Sequence, residues 1–87
     1  MKAYLPSNSL SANAFAKATE YDSQNPANWS ALGLVQLMQD NQDDALISLS
    51  KSIDYGSKWA GDYINRGIIY YRLHNYRSAL ADYDKAV

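Results

Sequence analysis

The chain repeats part of its own sequence with a fixed period. Gly33 returns as Gly67, and the pair Ala45-Leu46 returns as Ala79-Leu80 at the same spacing. A fixed period between about 20 and 50 residues is typical of solenoids, whose similar units bury a core only against one another. Chains of that kind usually hold other molecules rather than transform them. The repeat therefore favours a binding or scaffolding function. Other positions keep their side-chain class at the same spacing: Trp29 with Tyr63, Leu34 with Ile68, Leu49 with Tyr83, and Ile53 with Val87.

Local signals assign this period to helices, because no stretch alternates between apolar and polar residues long enough for a strand. Ser7, Asn8 and Ser9 are N-cap residue types that precede a first helix at about 10–21. Pro26 suits the first turn of a second helix, Gly56 can end the third in the left-handed conformation, and Ser57 can cap the fourth. We expect five helices, at about 10–21, 26–39, 43–55, 58–73 and 76–87. Short loops make successive helices antiparallel, so the predicted fold class is all-α, an antiparallel stack of helix pairs.

The second and fourth predicted helices each carry two apolar faces. Gly33 and Gly67 lie within one of these faces, although a glycine there costs about 1 kcal/mol of helix propensity relative to alanine. Their recurrence predicts that two helix backbones approach closely at both places, facing the small Ala45 and Ala79. The first face holds Trp29, Leu32, Gly33 and Gln36, then Tyr63, Gly67 and Tyr70. The second holds Leu34, Leu37 and Met38, then Ile64, Ile68 and Tyr71.

Composition argues against several function classes. Eight basic and nine acidic side chains nearly cancel, so there is no basic surplus for nucleic-acid phosphates. No apolar run is long enough to span a bilayer, and the start lacks the apolar core of a secretion signal, so we expect no membrane partner and a cytoplasmic location. The chain has no cysteine and one histidine, His74, which we interpret as a turn residue rather than a base. We expect no enzyme activity, no cofactor and no metal site. The acidic stretch 40–44 lacks the glycine and the closing glutamate of a calcium loop.

The chain resembles the tetratricopeptide repeat family, whose units of about 34 residues each form two antiparallel helices. The motif from Trp29 to Gly33 matches the family's opening, and the resemblance covers about residues 10–87. It divides the chain into a lead-in at 1–9, a half repeat at 10–25, a full repeat at 26–59 and a truncated repeat at 60–87. The second repeat fits through Tyr63, Asn65, Gly67, Tyr70, Tyr76, Ala79, Leu80, Tyr83, Lys85 and Ala86. The chain departs from the family pattern at Ser23, Gln36, Asp40, Ser52, Ser57, Arg66 and His74.

In that family the first helices of successive repeats line a concave groove that accepts extended peptides or partner helices. The resemblance therefore implies a protein or peptide partner. Among the positions implied for this groove the cation is Arg72. The expected ligand is therefore an amphipathic segment with a carboxylate. Packing of neighbouring helices would also explain part of the apolar set, so both interpretations stay open. The positions implied, here called the groove residues, are Ser30, Leu34, Leu37, Met38, Ile64, Asn65, Ile68, Tyr71 and Arg72.

The last predicted helix has no polar closing helix after it. Repeat arrays usually need about three units and a polar cap, and this chain has about two and a half. We therefore expect either a homo-oligomer or a fragment of a longer repeat protein. The alternative function is accordingly a structural one, in which the repeats serve self-assembly.

Overall fold

The computed structural model describes residues 7–87, with side chains from Ala12 onward. Within that range the chain is all-α, as predicted, and contains no strand. The five helices are α1 (Ser7–Tyr21), α2 (Pro26–Met38), α3 (Gln42–Asp54), α4 (Ala60–Arg72) and α5 (Tyr76–Ala86).

Two helix starts differ from the prediction. Helix α1 already begins at Ser7, so Asn8 and Ser9 lie inside it. Helix α4 begins at Ala60 with Trp59 as its N-cap, so the prediction that Ser57 caps it was wrong. The Ser57 hydroxyl instead accepts the backbone N–H of Trp59 within the turn, and the helix begins after that turn.

The helices contact one another in chain order, α1 with α2, α2 with α3, α3 with α4, and α4 with α5. Helices α2 and α4, the first helices of the two predicted repeats, also contact each other. Within the described residues no other pair of helices is in contact. This pattern is a stack of helix pairs, in which each unit is covered by its neighbours.

The turns that follow α2 and α4 have the same geometry. Asp40 and His74 take the same position in the left-handed region, with φ of 63° and 64°. In each turn the next residue, Asn41 or Asn75, donates its backbone N–H to the carbonyl five residues earlier at 2.8 Å. That bond is the Schellman closure of a helix, for which the left-handed residue is needed. The period of the sequence is therefore a period of backbone conformation as well.

The two repeated glycines lie in equivalent surroundings. A Cβ atom built on Gly33 would lie 2.8 Å from both Cγ and Cδ2 of Leu49, and one built on Gly67 would lie 2.6 Å from Cε1 of Tyr83. Leu49 and Tyr83 are themselves one period apart, like the glycines they contact. Close approach at both glycines is thus present, and it brings each α-hairpin together at the same point.

The core lies between the helix pairs. Ala45, Leu49 and Ile69 have no exposed surface, and Leu37 and Leu46 pack against them. The predicted partners of the two glycines need correcting, because the nearest atoms belong to residues one helical turn beyond the alanines. A larger side chain is accommodated there because the glycine leaves room for it.

Candidate functional site

A cavity of about 450 Å³ opens between the first turns of α2 and the turn that joins α3 to α4. Its volume falls within the range of roughly 300–1,000 Å³ that ligand pockets occupy. The walls consist mainly of apolar side chains. The lining residues are Pro26, Ala27, Ser30, Ala31, Leu34, Gly56, Ser57, Lys58 and Trp59.

The Trp59 indole forms one wall, and Gly61 makes its position possible. A Cβ atom at Gly61 would collide with Cζ2 of the indole, so the ring lies directly on the first turn of α4. Trp59 nevertheless remains 53% exposed, so much of its surface is available to another molecule. An indole held flat against backbone has few rotamers to lose on binding, which favours it as a contact surface.

Asp62 lies at the first turn of α4, and its carboxylate is completely buried. It accepts hydrogen bonds from the hydroxyls of Ser30 at 2.7 and 2.8 Å, Ser52 at 2.7 Å and Ser57 at 2.6 Å. The positive end of the α4 dipole also favours a carboxylate in a first turn. These bonds tie together α2, α3, the α3–α4 turn and α4, and they connect the polar cluster to the cavity, because Ser30 and Ser57 also line it.

The position equivalent to Asp62 makes a similar contact one repeat earlier. Asn28 donates from its side-chain nitrogen to the carbonyl of Ala18 on α1 at 3.4 Å. Asn28 precedes Asp62 by one period, and Ala18 precedes Ser52 by the same spacing. The same two positions therefore join successive units at both junctions, but only the second junction contains a carboxylate.

A second polar pair holds α4 against α5. Arg66 binds Asp82 through Nε and Nη2, both at 2.8 Å, and donates from Nη1 to Ser50 at 3.3 Å. The rings of Tyr63 and Tyr70 lie 5.9 and 5.8 Å from the guanidinium, within cation–π range. The hydrogen bond to Asp82 raises the pKa of Arg66 above its ordinary value, against the lowering effect of burial. This pair is structural, because Asp82 is buried.

The structure places some groove residues in the cavity or the core. Ser30 and Leu34 line the cavity wall. Leu37 is half-buried and packs on the core cluster, and Asn65 and Ile68 are half-buried as well. Stacking of the helices therefore accounts for part of this set.

The other groove residues are exposed. Met38 is 64% exposed, Ile64 42% and Tyr71 59%, and Arg72 is exposed at the end of α4. They lie on α2 and α4, which contact each other.

The cavity also has walls that the sequence did not predict. Gly56 was interpreted only as a helix end and Ser57 only as a helix cap, and Lys58 and Trp59 were assigned to α4. All four residues line the cavity. One sequence signal was available, since Ser57 departs from the repeat pattern in a turn. Its partner in the buried cluster, however, is not visible from local sequence.

Comparisons with known proteins leave the family open: no family model matches the chain, and no curated protein matches it. None of the described helices is long and apolar enough to cross a membrane. Among the described residues, no three potential metal ligands come together.

Proposed function

We propose that the chain is a protein-interaction module of the tetratricopeptide kind, which holds an acidic amphipathic peptide or helix against the surface of α2 and α4. The single observation that carries this function is the set of exposed apolar side chains on these two adjacent helices. Leu34, Met38, Ile64 and Tyr71 are 37%, 64%, 42% and 59% exposed. The equivalent turns and glycine contacts at the repeat spacing support the family assignment.

Charge favours an acidic partner. On α4, the Asp62 carboxylate is buried among serines and Arg66 is bound to Asp82, which leaves Arg72 exposed. Lys58 adds a second exposed cation at the cavity. Neither cation forms an ion pair with a described residue. The exposed acidic residues of the described part lie outside α2 and α4: Glu20, Asp22, Asp40, Asp43, Asp44, Asp54 and Asp84.

Selection from a random-peptide display library on the immobilised protein tests this function. We expect enriched peptides to combine apolar residues with Asp or Glu. A synthetic peptide from the selection should lose at least tenfold in affinity for the double variant Tyr71→Ser/Arg72→Glu, because a hydrophobic contact and a charge pair are removed together.

The matched control is Ile47→Ser/Arg77→Glu, which makes the same two kinds of change at exposed positions of α3 and α5. Affinity should stay within about twofold of the unchanged protein, as distant surface changes usually have little effect. The assignment of the binding surface would be contradicted if the peptides kept their affinity for the first variant and lost affinity for the second.

Self-association is the second candidate function, favoured by the outer face of α5. Leu46 on α3 packs on the core, whereas its repeat equivalent Leu80 is 63% exposed. Tyr76 on the same helix is 51% exposed. An apolar stripe of this kind can be covered by a second copy of the chain.

Sedimentation velocity across a dilution series tests this alternative. If the α5 face associates, the unchanged protein should dissociate on dilution and Leu80→Glu should be monomeric throughout. Met38→Ser, at an exposed position of α2, should leave the oligomer size unchanged. A strict monomer at high concentration would exclude self-association through this face.

A further inference from the structure

Two of the cavity-lining residues, Ser30 and Ser57, have hydroxyl groups whose single protons are already used inside the protein. The Ser57 hydroxyl donates to Asp62 at 2.6 Å and accepts the backbone N–H of Trp59 at 3.3 Å. A serine hydroxyl has one proton and two acceptor lone pairs. Ser57 therefore has a lone pair left to offer and no proton.

The same accounting holds for Ser30, whichever way its bonds run. Its hydroxyl lies 2.7 and 2.8 Å from the two carboxylate oxygens of Asp62 and 2.8 Å from the hydroxyl of Ser52. The Ser52 hydroxyl also lies 3.0 Å from the carbonyl oxygen of Pro26. If Ser52 donates to Ser30 or to Pro26, the Ser30 proton goes to Asp62. If Ser30 donates to Ser52, the Ser52 proton goes to Asp62 or to Pro26. In each arrangement the Ser30 proton stays in the cluster, because a buried carboxylate needs hydrogen-bond donors.

The two serine hydroxyls in the cavity wall therefore accept hydrogen bonds from a ligand. The buried charge of Asp62 behind them reinforces this preference, since a low-dielectric interior screens charge weakly. A carboxylate that entered among these serines would meet oxygen lone pairs and a nearby negative charge. An N–H or O–H group would find an acceptor. A carboxylate on the bound segment is better placed beside the exposed ammonium of Lys58.

The remaining walls favour an aromatic side chain. They are apolar apart from the serines and Lys58, and the Trp59 indole offers a fixed ring surface. Aromatic pairs gain binding free energy beyond the burial of their area. Trp and Tyr combine a large apolar ring with one polar donor, which is the combination that an apolar cavity with acceptor oxygens requires.

We propose that this cavity is a subsite for a Trp or Tyr side chain of the bound segment, with the indole N–H or phenol O–H donating to Ser30 or Ser57. This inference rests on the proposed peptide-binding function and specifies the residue that anchors the ligand. It also separates the two polar requirements of the partner: a donor within the cavity and an acidic group outside it.

Indole and benzofuran provide a direct test, because they have nearly the same shape and differ in an N–H donor against an oxygen acceptor. Titration of each into the ¹⁵N-labelled chain, followed by NMR, should shift the signals of Ser57, Trp59 and Ser30. Indole should bind roughly threefold to tenfold tighter, which corresponds to one net hydrogen bond.

Asp62→Asn should reduce this preference to less than about twofold. An amide at that position can donate a hydrogen bond, so Ser30 is able to turn its proton toward the cavity. Ser30→Ala gives a second measurement if the asparagine variant does not fold, because it removes an acceptor while Ser52 and Ser57 still satisfy Asp62. It should lower indole affinity and leave benzofuran affinity unchanged. Ser50→Ala is the matched control, since Ser50 contacts Arg66 rather than the cluster, and the preference should persist.

Equal affinity of the two probes for the unchanged protein, binding of neither, or signals shifted only around Met38 and Tyr71 would each overturn the subsite. Failure of the broader function is a separate result. If displayed peptides still bind in an Arg72-dependent way while indole shows no preference, the aromatic subsite is wrong and the peptide-binding surface stands.

Discussion

Replacing Gly33 by alanine sets two effects of known size against each other. Alanine in a helix interior gains about 1 kcal/mol of helix propensity over glycine. The new methyl group, however, would lie 2.8 Å from Cγ and Cδ2 of Leu49 and 3.3 Å from its backbone nitrogen. Leu49 has no exposed surface, so its side chain cannot turn away into solvent. Overpacking of a filled core costs about 1–3 kcal/mol, to which separation of the two helix backbones adds.

The expected result is a net loss of about 1–2 kcal/mol in the free energy of unfolding for Gly33→Ala, since overpacking exceeds the propensity gain. For a domain of this size each kcal/mol lowers the melting temperature by roughly 4–8 °C. Gly67→Ala should cost less. The three atoms nearest to its new methyl group all belong to the half-buried ring of Tyr83, and none of them is a backbone atom.

Urea unfolding followed by far-ultraviolet circular dichroism measures both variants. Ala81→Gly, at an exposed position of α5, is the control for propensity alone and should cost about 1 kcal/mol. If Gly33→Ala were about 1 kcal/mol more stable than the unchanged protein, propensity would act unopposed. The close approach of α2 and α3 at this glycine would then be refuted.

Three further changes can be measured by the same urea unfolding. Arg66→Met should lower the free energy of unfolding by about 3–5 kcal/mol, because it leaves the Asp82 carboxylate buried without its partner. Adding Asp82→Leu should restore most of that loss. A double variant no more stable than the single one would contradict this. Asp40→Gly should stabilise the chain by up to about 1 kcal/mol, since glycine adopts the observed φ of 63° without strain, and a loss of stability would count against that geometry. Asn75→Ala should cost about 1 kcal/mol through loss of the cap on the N–H of Ser78, and no loss would show that this cap is not formed in solution.

The helices were predictable because their signals are local. Pro26 at the first position of α2, the two acidic residues in the first turn of α3, and Gly56 in the left-handed region after α3 all act within a few residues of their own position. The start of α4 was missed because Ser57, a good cap by type, accepts the backbone N–H of Trp59 within the turn and donates to the Asp62 carboxylate.

The cavity was only partly predictable, since the period compares equivalent positions of two repeats and says nothing of which residues touch. Ser30 and Leu34 came from the family resemblance, which assigns the inner face of the first helices. Lys58 and Trp59 could not be assigned to the cavity from the sequence, because a turn has no apolar periodicity to indicate its inner side. Ser30 and Asp62 are far apart in sequence, and their contact depends on how one unit stacks on the next.

Four of the seven departures from the repeat pattern have polar partners on another helix or turn. Gln36 accepts a hydrogen bond from Ser48 at 2.6 Å, as if the two replaced an apolar contact together. Ser52 and Ser57 both bind Asp62, and Arg66 binds Asp82, with each bond reaching another helix or turn. A sequence comparison counts each of these positions as a mismatch. In the fold they form complementary pairs that join neighbouring helices and turns.

Such pairs also constrain the stack more narrowly than apolar contacts do. Leucine and isoleucine side chains can repack when helices slide by a fraction of a turn, whereas a buried carboxylate loses stability once a donor moves out of hydrogen-bonding distance. Asp62 lies within hydrogen-bonding distance of hydroxyl groups on α2, on α3 and in the turn before α4, so this cluster fixes the position of α4 relative to all three. Those elements also form the walls of the cavity. The residue that fixes the junction between the two units is therefore also the one that sets the shape and hydrogen-bonding character of the cavity beside it.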